Sequence, residues 1–132
     1  MDERLTILVI EDDPVYAEFV ADTLRASGHT VSVAVTGAAA RELARRVRVD
    51  AVMLDLGLPD ESGYELARAL RHQHLPASAI IILLTASLYP QRDLADAVGI
   101  DMVLTKPVEA AVVGGIVDLI RSRRRSKLER GD

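Results

Sequence analysis

Five short apolar segments, each followed by a segment of helical periodicity, place the strongest constraint on the fold of this chain. Residues 5–10 and 79–84 are nearly uninterrupted runs of aliphatic residues. Such runs are typical of strands that are buried on both faces of a parallel sheet. Three further strands are predicted at residues 30–34, 51–54 and 102–105. Because strands and helices alternate along the chain, we predict an α/β domain with a mostly parallel sheet.

Capping residues mark where several of the helices begin. Asp13 can cap the first helix, with Pro14 at its first position. Ser62 and Glu65 are three residues apart, as in a capping box, and predict the start of the third helix. The last helix is predicted to begin at Pro107.

Apolar residues at helical spacing predict which helix faces turn toward the sheet. The predicted face consists of Val15, Phe19, Val20 and Leu24 in the first helix, and of Val112, Val113, Ile116, Leu119 and Ile120 in the last helix. A short fourth helix is predicted over residues 90–98.

Right-handed crossovers between parallel strands leave few possible strand orders. We predict a flavodoxin-like, doubly wound (βα)5 sheet with strand order 2-1-3-4-5, because the first and third strands are among the most apolar and should be central. A Rossmann-like half is the alternative. The sequence contains no Gly-x-Gly-x-x-Gly or Walker pattern, so it does not support a dinucleotide or triphosphate cradle.

Length, charge and the lack of cysteine disfavour several classes of function. The 132 residues suit a single domain, and the formal net charge of −4 disfavours nucleic acid as the main partner. Without cysteine there is no disulfide, thiol nucleophile or cysteine zinc site, which suits a reducing compartment. The longest apolar run is too short to span a bilayer, and the charged first residues are unlike a signal peptide. We therefore expect a cytoplasmic protein with no membrane contact of its own.

Four of the five predicted strands are followed by residues with useful chemistry. Glu11 and Asp12 follow the first strand, Asp55 the third, Thr85 the fourth and Lys106 the fifth. Because parallel strands share one carboxyl edge, these five side chains should converge. Taken singly, Thr85 could cap the end of a strand and Lys106 could be a solvated surface lysine. Their convergence is harder to explain without a functional site.

Three carboxylates in one pocket repel one another. Two unit charges about 4 Å apart cost roughly 4 kcal/mol at an effective dielectric constant near 20. Lys106 supplies one counter-charge. A hard divalent cation supplies the other, because an all-oxygen site suits Mg²⁺.

Four motifs together resemble those of response regulator receiver domains in two-component signalling. They read ILVIEDDP, MLDLGLPD followed one residue later by SG, LLTA, and LTKP, and they occur in this order at the strand ends. The resemblance covers essentially residues 5–120. We predict a receiver domain over residues 1–120 and a basic tail or linker over residues 121–132. The segment LRASGHTV is also similar to receivers attached to hybrid sensor histidine kinases.

The resemblance implies a role for each acidic residue at the sheet edge. Asp55 would accept a phosphoryl group from a phosphohistidine on a sensor histidine kinase or histidine phosphotransfer protein. Asp12 would bind Mg²⁺ directly and Glu11 through water, while Asp55 and the carbonyl of Gly57 would complete the protein ligands.

The resemblance also implies roles for the two remaining site residues. Thr85 would hydrogen-bond a phosphoryl oxygen, and Lys106 would pair with Asp55 before transfer and with the phosphoryl group afterwards. The bond between Lys106 and Pro107 is cis in the family.

The implied protein is a phosphoryl-accepting switch and not a conventional enzyme. A small Mg²⁺-dependent phosphatase is the enzyme alternative, but it would need a carboxylate at the position of Gly57.

One position departs from the family pattern. Family members usually carry Tyr or Phe three residues before the conserved lysine, whereas this chain has Val103. Valine has less area and one stiff rotor, so we expect it not to report phosphorylation as the aromatic residue does. Output coupling would then be weak, use a different surface, or matter little in a phosphoryl sink or relay. A degenerate receiver that works only through fixed contacts is a further alternative.

The histidines and the basic C-terminal segment are assigned to the surface. His29, His72 and His74 lie between predicted elements or at their ends. Residues 121–130 are expected to be the end of the last helix, fraying into a linker, because cations suit a helix C-terminus. The segment has no aromatic residue to stack on bases, which disfavours nucleic acid binding.

Overall fold

The computed structural model describes residues 4–87 and 91–131, and within these ranges five strands form a single sheet. The strands are β1 (Thr6–Ile10), β2 (Thr30–Ala34), β3 (Ala51–Asp55), β4 (Ile80–Thr85) and β5 (Met102–Thr105). Neighbouring strands are parallel, and their order is β2-β1-β3-β4-β5. This arrangement confirms the predicted flavodoxin-like topology.

Helices follow the strands in the described part of the chain. They are α1 (Pro14–Ala26), α2 (Gly37–Arg46), α3 (Gly63–Gln73), α4 (Arg92–Ala97) and α5 (Ala110–Glu129). The predicted start of the fourth helix, at residue 90, lies outside the described residues. Asp13 and Ser62 act as N-caps of α1 and α3, as predicted. The hydroxyl of Ser62 accepts from the N–H of Tyr64, one residue earlier than in a capping box.

The sheet is buried on both faces, in two hydrophobic clusters. On one face Ile7 and Val9 of β1 pack with residues of α1 and α5. On the other face Leu8 and Ile10 pack with residues of α2 and α3. Because successive strand residues point to opposite faces, a strand covered on both sides must be apolar at nearly every position.

The strand order creates a crevice at the carboxyl edge of the sheet. β1 and β3 are neighbours, and α1, which follows β1, covers one face while α3, which follows β3, covers the other. Chain connections that leave neighbouring strands toward opposite faces open a crevice between them, where ligands of such sheets bind.

The predicted inward faces of the first and last helices are wrong in part. Val15 is 79% exposed, Phe19 is 41% exposed, and Val112 and Leu119 are each 49% exposed. The buried faces of α1 and α5 consist of Ala17, Val20, Ala21, Leu24, Val113, Ile116, Val117 and Ile120. In α1 the buried positions 17, 20, 21 and 24 follow helical spacing, so Val20 and Leu24 lie on the buried face as predicted, whereas Val15 and Phe19 lie outside it.

The predicted start of the last helix is also wrong. α5 begins at Ala110, with Glu109 as its N-cap, and not at Pro107. Residues 106–109 form a connection whose Val108 N–H donates to the hydroxyl of Tyr16 on α1, so this donor has a partner outside the helix.

Helix α5 continues to Glu129, across the predicted limit at residue 120. The ion pairs of Arg124 with Asp50 and of Lys127 with Asp101 hold this segment on the domain, so it does not fray where predicted. The division into a receiver domain and a linker stays a prediction. None of the helices in the described ranges is long and apolar enough to cross a membrane.

Candidate functional site

The carboxyl edge of the sheet brings the predicted site residues together. Asp55 and Thr85 are the last residues of β3 and β4, while Glu11 and Lys106 directly follow β1 and β5. The N–H of Lys106 donates to the carbonyl of Thr85 at 2.8 Å, which ties the end of β5 to that of β4. Parallel pairing therefore places four separate segments of the chain at one site.

Three carboxylates form the acidic part of the site. One carboxylate oxygen from each of Glu11, Asp12 and Asp55 lies within 4.8 Å of the others. Glu11 is 3% exposed and Asp55 is 8% exposed, whereas Asp12 is open to solvent. Asp12 therefore provides the side of the cluster through which an ion can enter.

Lys106 lies between two of these carboxylates. Its Nζ is 2.6 Å from Oε2 of Glu11 and 3.0 Å from Oδ1 of Asp55. Burial opposes the charged form, but the hydrogen bonds to Glu11 and Asp55 outweigh it, and the pKa of Lys106 lies above its ordinary value. Lys106 is therefore an ammonium ion that faces the predicted phosphoryl acceptor.

One ammonium ion does not balance three carboxylates. Burial raises the pKa of Glu11, and the charge of Asp55 raises it further, although the hydrogen bond from Lys106 opposes both effects. The remaining negative charge and the all-oxygen donor set fit a hard divalent cation such as Mg²⁺. The residues present thus agree with the metal site that the sequence predicts.

The connection from β3 to α3 is a tight turn around Gly57. Gly57 pairs with Ser62 in an antiparallel bridge, and the N–H of Gly63 donates to the carbonyl of Leu56 at 3.0 Å. A Cβ atom on Gly63 would lie 2.8 Å from Cα of Leu56, closer than such atoms approach in proteins. Glycine at position 63 therefore allows the close turn that carries the Gly57 carbonyl.

The sequence analysis did not predict the hydrogen bonds and the ion pair that join this connection to α2. The carboxylate of Asp60 accepts from the N–H groups of Gly37, at 2.8 Å, and Ala38, at 3.2 Å, at the amino end of α2. The bond from Gly37 chiefly holds the pKa of Asp60 below its ordinary value. Glu61 pairs with Arg41 at 2.6 Å. No local sequence pattern predicts these contacts, because they join segments about twenty residues apart in the chain.

Thr85 is 3% exposed, and its hydroxyl oxygen accepts from the N–H of Ser87 at 3.1 Å. This bond leaves the hydroxyl hydrogen available for another acceptor.

The peptide bond between Lys106 and Pro107 is cis, as the family resemblance implies.

Tyr16 of α1 is a second residue near the site that sequence reasoning missed. Its ring centroid lies 5.1 Å from Nζ of Lys106, and its hydroxyl accepts from the N–H of Val108 at 3.1 Å. The only sequence signal is an aromatic residue in the first turn after the acidic loop.

A doubly wound sheet with an acidic cluster and a lysine at its carboxyl edge defines a class of α/β domains, and sequence comparisons identify the family. The profile described as response regulator receiver domain matches residues 7–117. The chain is 37% identical over 105 residues to the probable transcriptional regulatory protein TcrX of Mycobacterium tuberculosis, a match that covers 80% of this chain and 44% of TcrX. It is 30% identical over 117 residues to the aerobic respiration control sensor protein ArcB of Escherichia coli, covering 86% of this chain and 15% of ArcB.

Solved structures of similar fold include receivers of two kinds. One is the receiver domain of the sensor histidine kinase PA1611 from Pseudomonas aeruginosa, with a magnesium ion coordinated in its active site cleft. Its TM-score is 0.77, it is 30% identical, and the match covers 92% of this chain and 98% of that one. The other is the chemotaxis response regulator CheY4 of Vibrio cholerae, with a TM-score of 0.83, 25% identity, and coverage of 89% and 99%.

The chain therefore belongs to the response regulator receiver domain family of two-component signalling. Members of this family act generally as phosphoryl-accepting switches, and not as conventional enzymes. The chain spans less than half the length of TcrX and a smaller part of ArcB.

Proposed function

We propose that Asp55 accepts a phosphoryl group from a phosphohistidine on a sensor histidine kinase or histidine phosphotransfer protein, in a reaction that requires Mg²⁺. One observation carries the proposal: Lys106 holds an ammonium group 3.0 Å from Asp55 at the edge of a cluster of three carboxylates. The similarity to ArcB and to the PA1611 receiver supports a kinase or phosphotransfer partner.

The reaction that this site supports is a displacement at phosphorus. A carboxylate oxygen of Asp55 forms a bond to phosphorus while the bond between phosphorus and the imidazole nitrogen of the donor breaks. The imidazole leaves with the electron pair. Such transfers depend mainly on the position of the reacting groups and on neutralised charge, so a fixed acceptor needs little further chemistry.

The residues around Asp55 have complementary roles in this proposal. Lys106 pairs with Asp55 in the resting state and with a phosphoryl oxygen after transfer, and the hydroxyl of Thr85 donates to another phosphoryl oxygen. Glu11, Asp12, Asp55 and the Gly57 carbonyl would hold Mg²⁺, which when bound neutralises charge on the phosphoryl oxygens.

The proposed product is a signalling state or a relay intermediate. Phosphorylation replaces a carboxylate by a bulkier acyl phosphate, which changes the contacts of Lys106 and Thr85 at the carboxyl edge of the sheet. The similarity to transcriptional regulatory proteins supports a location in the cytoplasm. Catalysis is limited in this proposal to the gain and loss of the chain's own phosphoryl group.

Phosphorylation by a small donor tests the proposal directly. We expect the native chain to gain the mass of one phosphoryl group with acetyl phosphate and Mg²⁺, and none when EDTA removes the metal. Asp55→Asn should gain none, because it lacks the acceptor oxygen, and Asp12→Asn should react at least about tenfold more slowly. Intact-mass spectrometry over time measures all four.

Asp13→Asn is the matched control for the loss of an acidic residue beside the site. Asp13 caps α1 through bonds to the N–H groups of Val15 and Tyr16, and asparagine is an equally good cap. This variant should react like the native chain. Phosphorylation of Asp55→Asn, or no reaction of the native chain with either acetyl phosphate or phosphoramidate, would refute the proposal.

A further inference from the structure

Tyr16 makes two different contacts with the connection between β5 and α5. Its ring lies beside the ammonium group of Lys106, with 5.1 Å between Nζ and the ring centroid. Its hydroxyl oxygen accepts from the N–H of Val108, at 3.1 Å. One side chain of α1 therefore contacts two atoms of this connection, and one of them, Nζ of Lys106, lies 3.0 Å from Asp55.

The backbone of this connection needs an acceptor from elsewhere. Val108 is 4% exposed, and a buried N–H group without a partner is strongly disfavoured. The next residue, Glu109, is the N-cap of α5 but makes no side-chain capping bond. The Tyr16 hydroxyl thus supplies a hydrogen bond that local capping does not.

The ammonium group of Lys106 has an aromatic neighbour as well as its two carboxylate partners. Glu11 and Asp55 contact it through oxygen atoms, and the ring of Tyr16 adds a neighbour of a different kind. An ammonium ion within about 6 Å of an aromatic ring is attracted by the electrons of the ring, more so where water is excluded. Because a lysine side chain has several rotatable bonds, a fixed ring narrows the positions open to Nζ.

We propose that Tyr16 is a positioning residue for phosphoryl acceptance. Its hydroxyl holds the backbone after Lys106, and its ring holds the ammonium group beside Asp55. This inference rests on the function proposed above and names a residue that acts through Lys106 without contacting the phosphoryl group.

A purely structural role is the competing explanation. Tyr16 packs against the cluster between the sheet and α1, and its ring lies 6.2 Å from that of Phe19. A residue that only fills this space would affect stability and would leave the phosphorylation rate of the folded protein unchanged.

Two substitutions separate the hydroxyl from the ring. Tyr16→Phe removes the acceptor of the Val108 N–H and keeps the ring, whereas Tyr16→Leu removes both. Tyr64→Phe is the matched control, because it deletes the hydroxyl of a tyrosine in the cluster on the opposite face of the sheet. All variants are compared at a temperature at which circular dichroism shows them fully folded.

The rate of phosphorylation is measured against the concentration of acetyl phosphate and, separately, of Mg²⁺. We expect Tyr16→Leu to lower the maximal rate about three- to tenfold and Tyr16→Phe about two- to threefold, as the loss of a cation–ring contact and of one hydrogen bond implies. The Mg²⁺ concentration at half-maximal rate should change less than about twofold, because no proposed metal ligand is altered.

Amide hydrogen exchange at Val108 gives a readout independent of phosphorylation. Exchange should become faster in both Tyr16 variants and stay unchanged in Tyr64→Phe. A maximal rate in Tyr16→Leu equal to that of the native chain would overturn the inference, as would an equal loss in Tyr64→Phe. If the native chain itself does not react, the proposed function fails, and unchanged exchange at Val108 in Tyr16→Phe would overturn the positioning role on its own.

Discussion

Single residues determine the balance of charge at the acidic site. Lys106 contacts both Glu11 and Asp55, so the side chain that would assist phosphoryl transfer also neutralises part of the cluster before any ligand binds. The N–H of Asp13 donates to the other oxygen of Glu11 at 3.3 Å. Glu11 is thereby held in place at the end of β1, and Asp12 remains the most accessible carboxylate of the cluster.

His29 is a buried residue, which contradicts the prediction that it lies at the surface. It is 6% exposed, and its Nδ1 accepts from the N–H of Leu5 at 3.0 Å. An imidazole nitrogen can accept only when it carries no hydrogen, so this contact requires the neutral ring. Burial, together with the charges of Arg121 and Arg4, holds the pKa of His29 below its ordinary value.

The stability of the protein should therefore depend on pH through His29. Since the unfolded chain binds this proton at higher pH than the folded chain does, acidification through the ordinary histidine pKa of about 6.5 favours unfolding. We expect the free energy of unfolding to fall as the pH is lowered from about 7 to about 5, with a smaller slope in His29→Gln. Urea denaturation at several pH values measures this.

The control for this experiment is His72→Gln, which changes an exposed histidine at the end of α3. It should keep the slope of the native chain. An unchanged slope in His29→Gln would show that protonation of another group governs stability in this range.

At the scale of elements, the C-terminal half of α5 covers the amino edge of the sheet, opposite the acidic site. Arg124 pairs with Asp50 at 3.1 Å, and the other oxygen of Asp50 accepts from the N–H of Thr6 at 2.8 Å. Lys127 pairs with Asp101 at 2.9 Å. The basic residues expected in a solvated tail thus partly serve to fasten the helix to the strands.

The carboxylate of Asp101 joins α5, α3 and β4 at this edge. One of its oxygens pairs with Lys127, and the other accepts from Arg71 at 2.9 Å and from the N–H of Ile81 at 2.8 Å. We expect Asp101→Ala to lower the free energy of unfolding by about 2–4 kcal/mol, because it removes the carboxylate that pairs with two largely buried cations and accepts from one backbone N–H. Urea denaturation at neutral pH provides the measurement.

Asp118→Ala is the comparison for an aspartate paired with a cation of α5 at the surface. The side chain of Asp118 is 84% exposed and lies 3.7 Å from Arg121. Its loss should cost less than about 0.5 kcal/mol, as is usual for exposed pairs. Equal effects of the two substitutions would mean that the contacts of Asp101 contribute little to stability.

For the molecule as a whole, the effect of phosphorylation depends on which surfaces respond to the new group on Asp55. Val103 of β5 is partly buried and packs against the cluster that β4 shares with α3. The family resemblance implies an aromatic residue that responds to phosphorylation at this position, and we expect the smaller valine not to respond in this way. The face formed by α4, β5 and α5 should therefore change little on activation.

A beryllofluoride mimic of the phosphoryl group tests this expectation. We expect small backbone amide shifts over residues 97–113, apart from those next to Lys106, and larger shifts in Val103→Tyr, which restores an aromatic residue. Nuclear magnetic resonance spectra with and without the mimic supply the comparison. Large shifts across this range in the native chain would contradict the expectation.

Much of the fold and of the site follows from local pattern. The apolar runs located the strands because a strand buried on both faces tolerates few polar residues. Asp55 and Thr85 were recognisable because they end such runs, and a parallel sheet brings strand ends to one edge. Val15 and Phe19 were placed wrongly because two positions of the buried stripe, 17 and 21, are alanines, which a search for large apolar residues passes over.

By itself, the sequence determined the order of elements, the edge at which the acidic residues meet, and the chemistry available there, because hydrophobic periodicity and strand ends are properties of short segments. Only the tertiary structure decided the contacts of Tyr16 with Lys106, of Asp60 with the start of α2, and of Arg124 with the opposite edge of the sheet. These contacts join residues that are distant along the chain, and their geometry depends on how helices pack across the finished sheet.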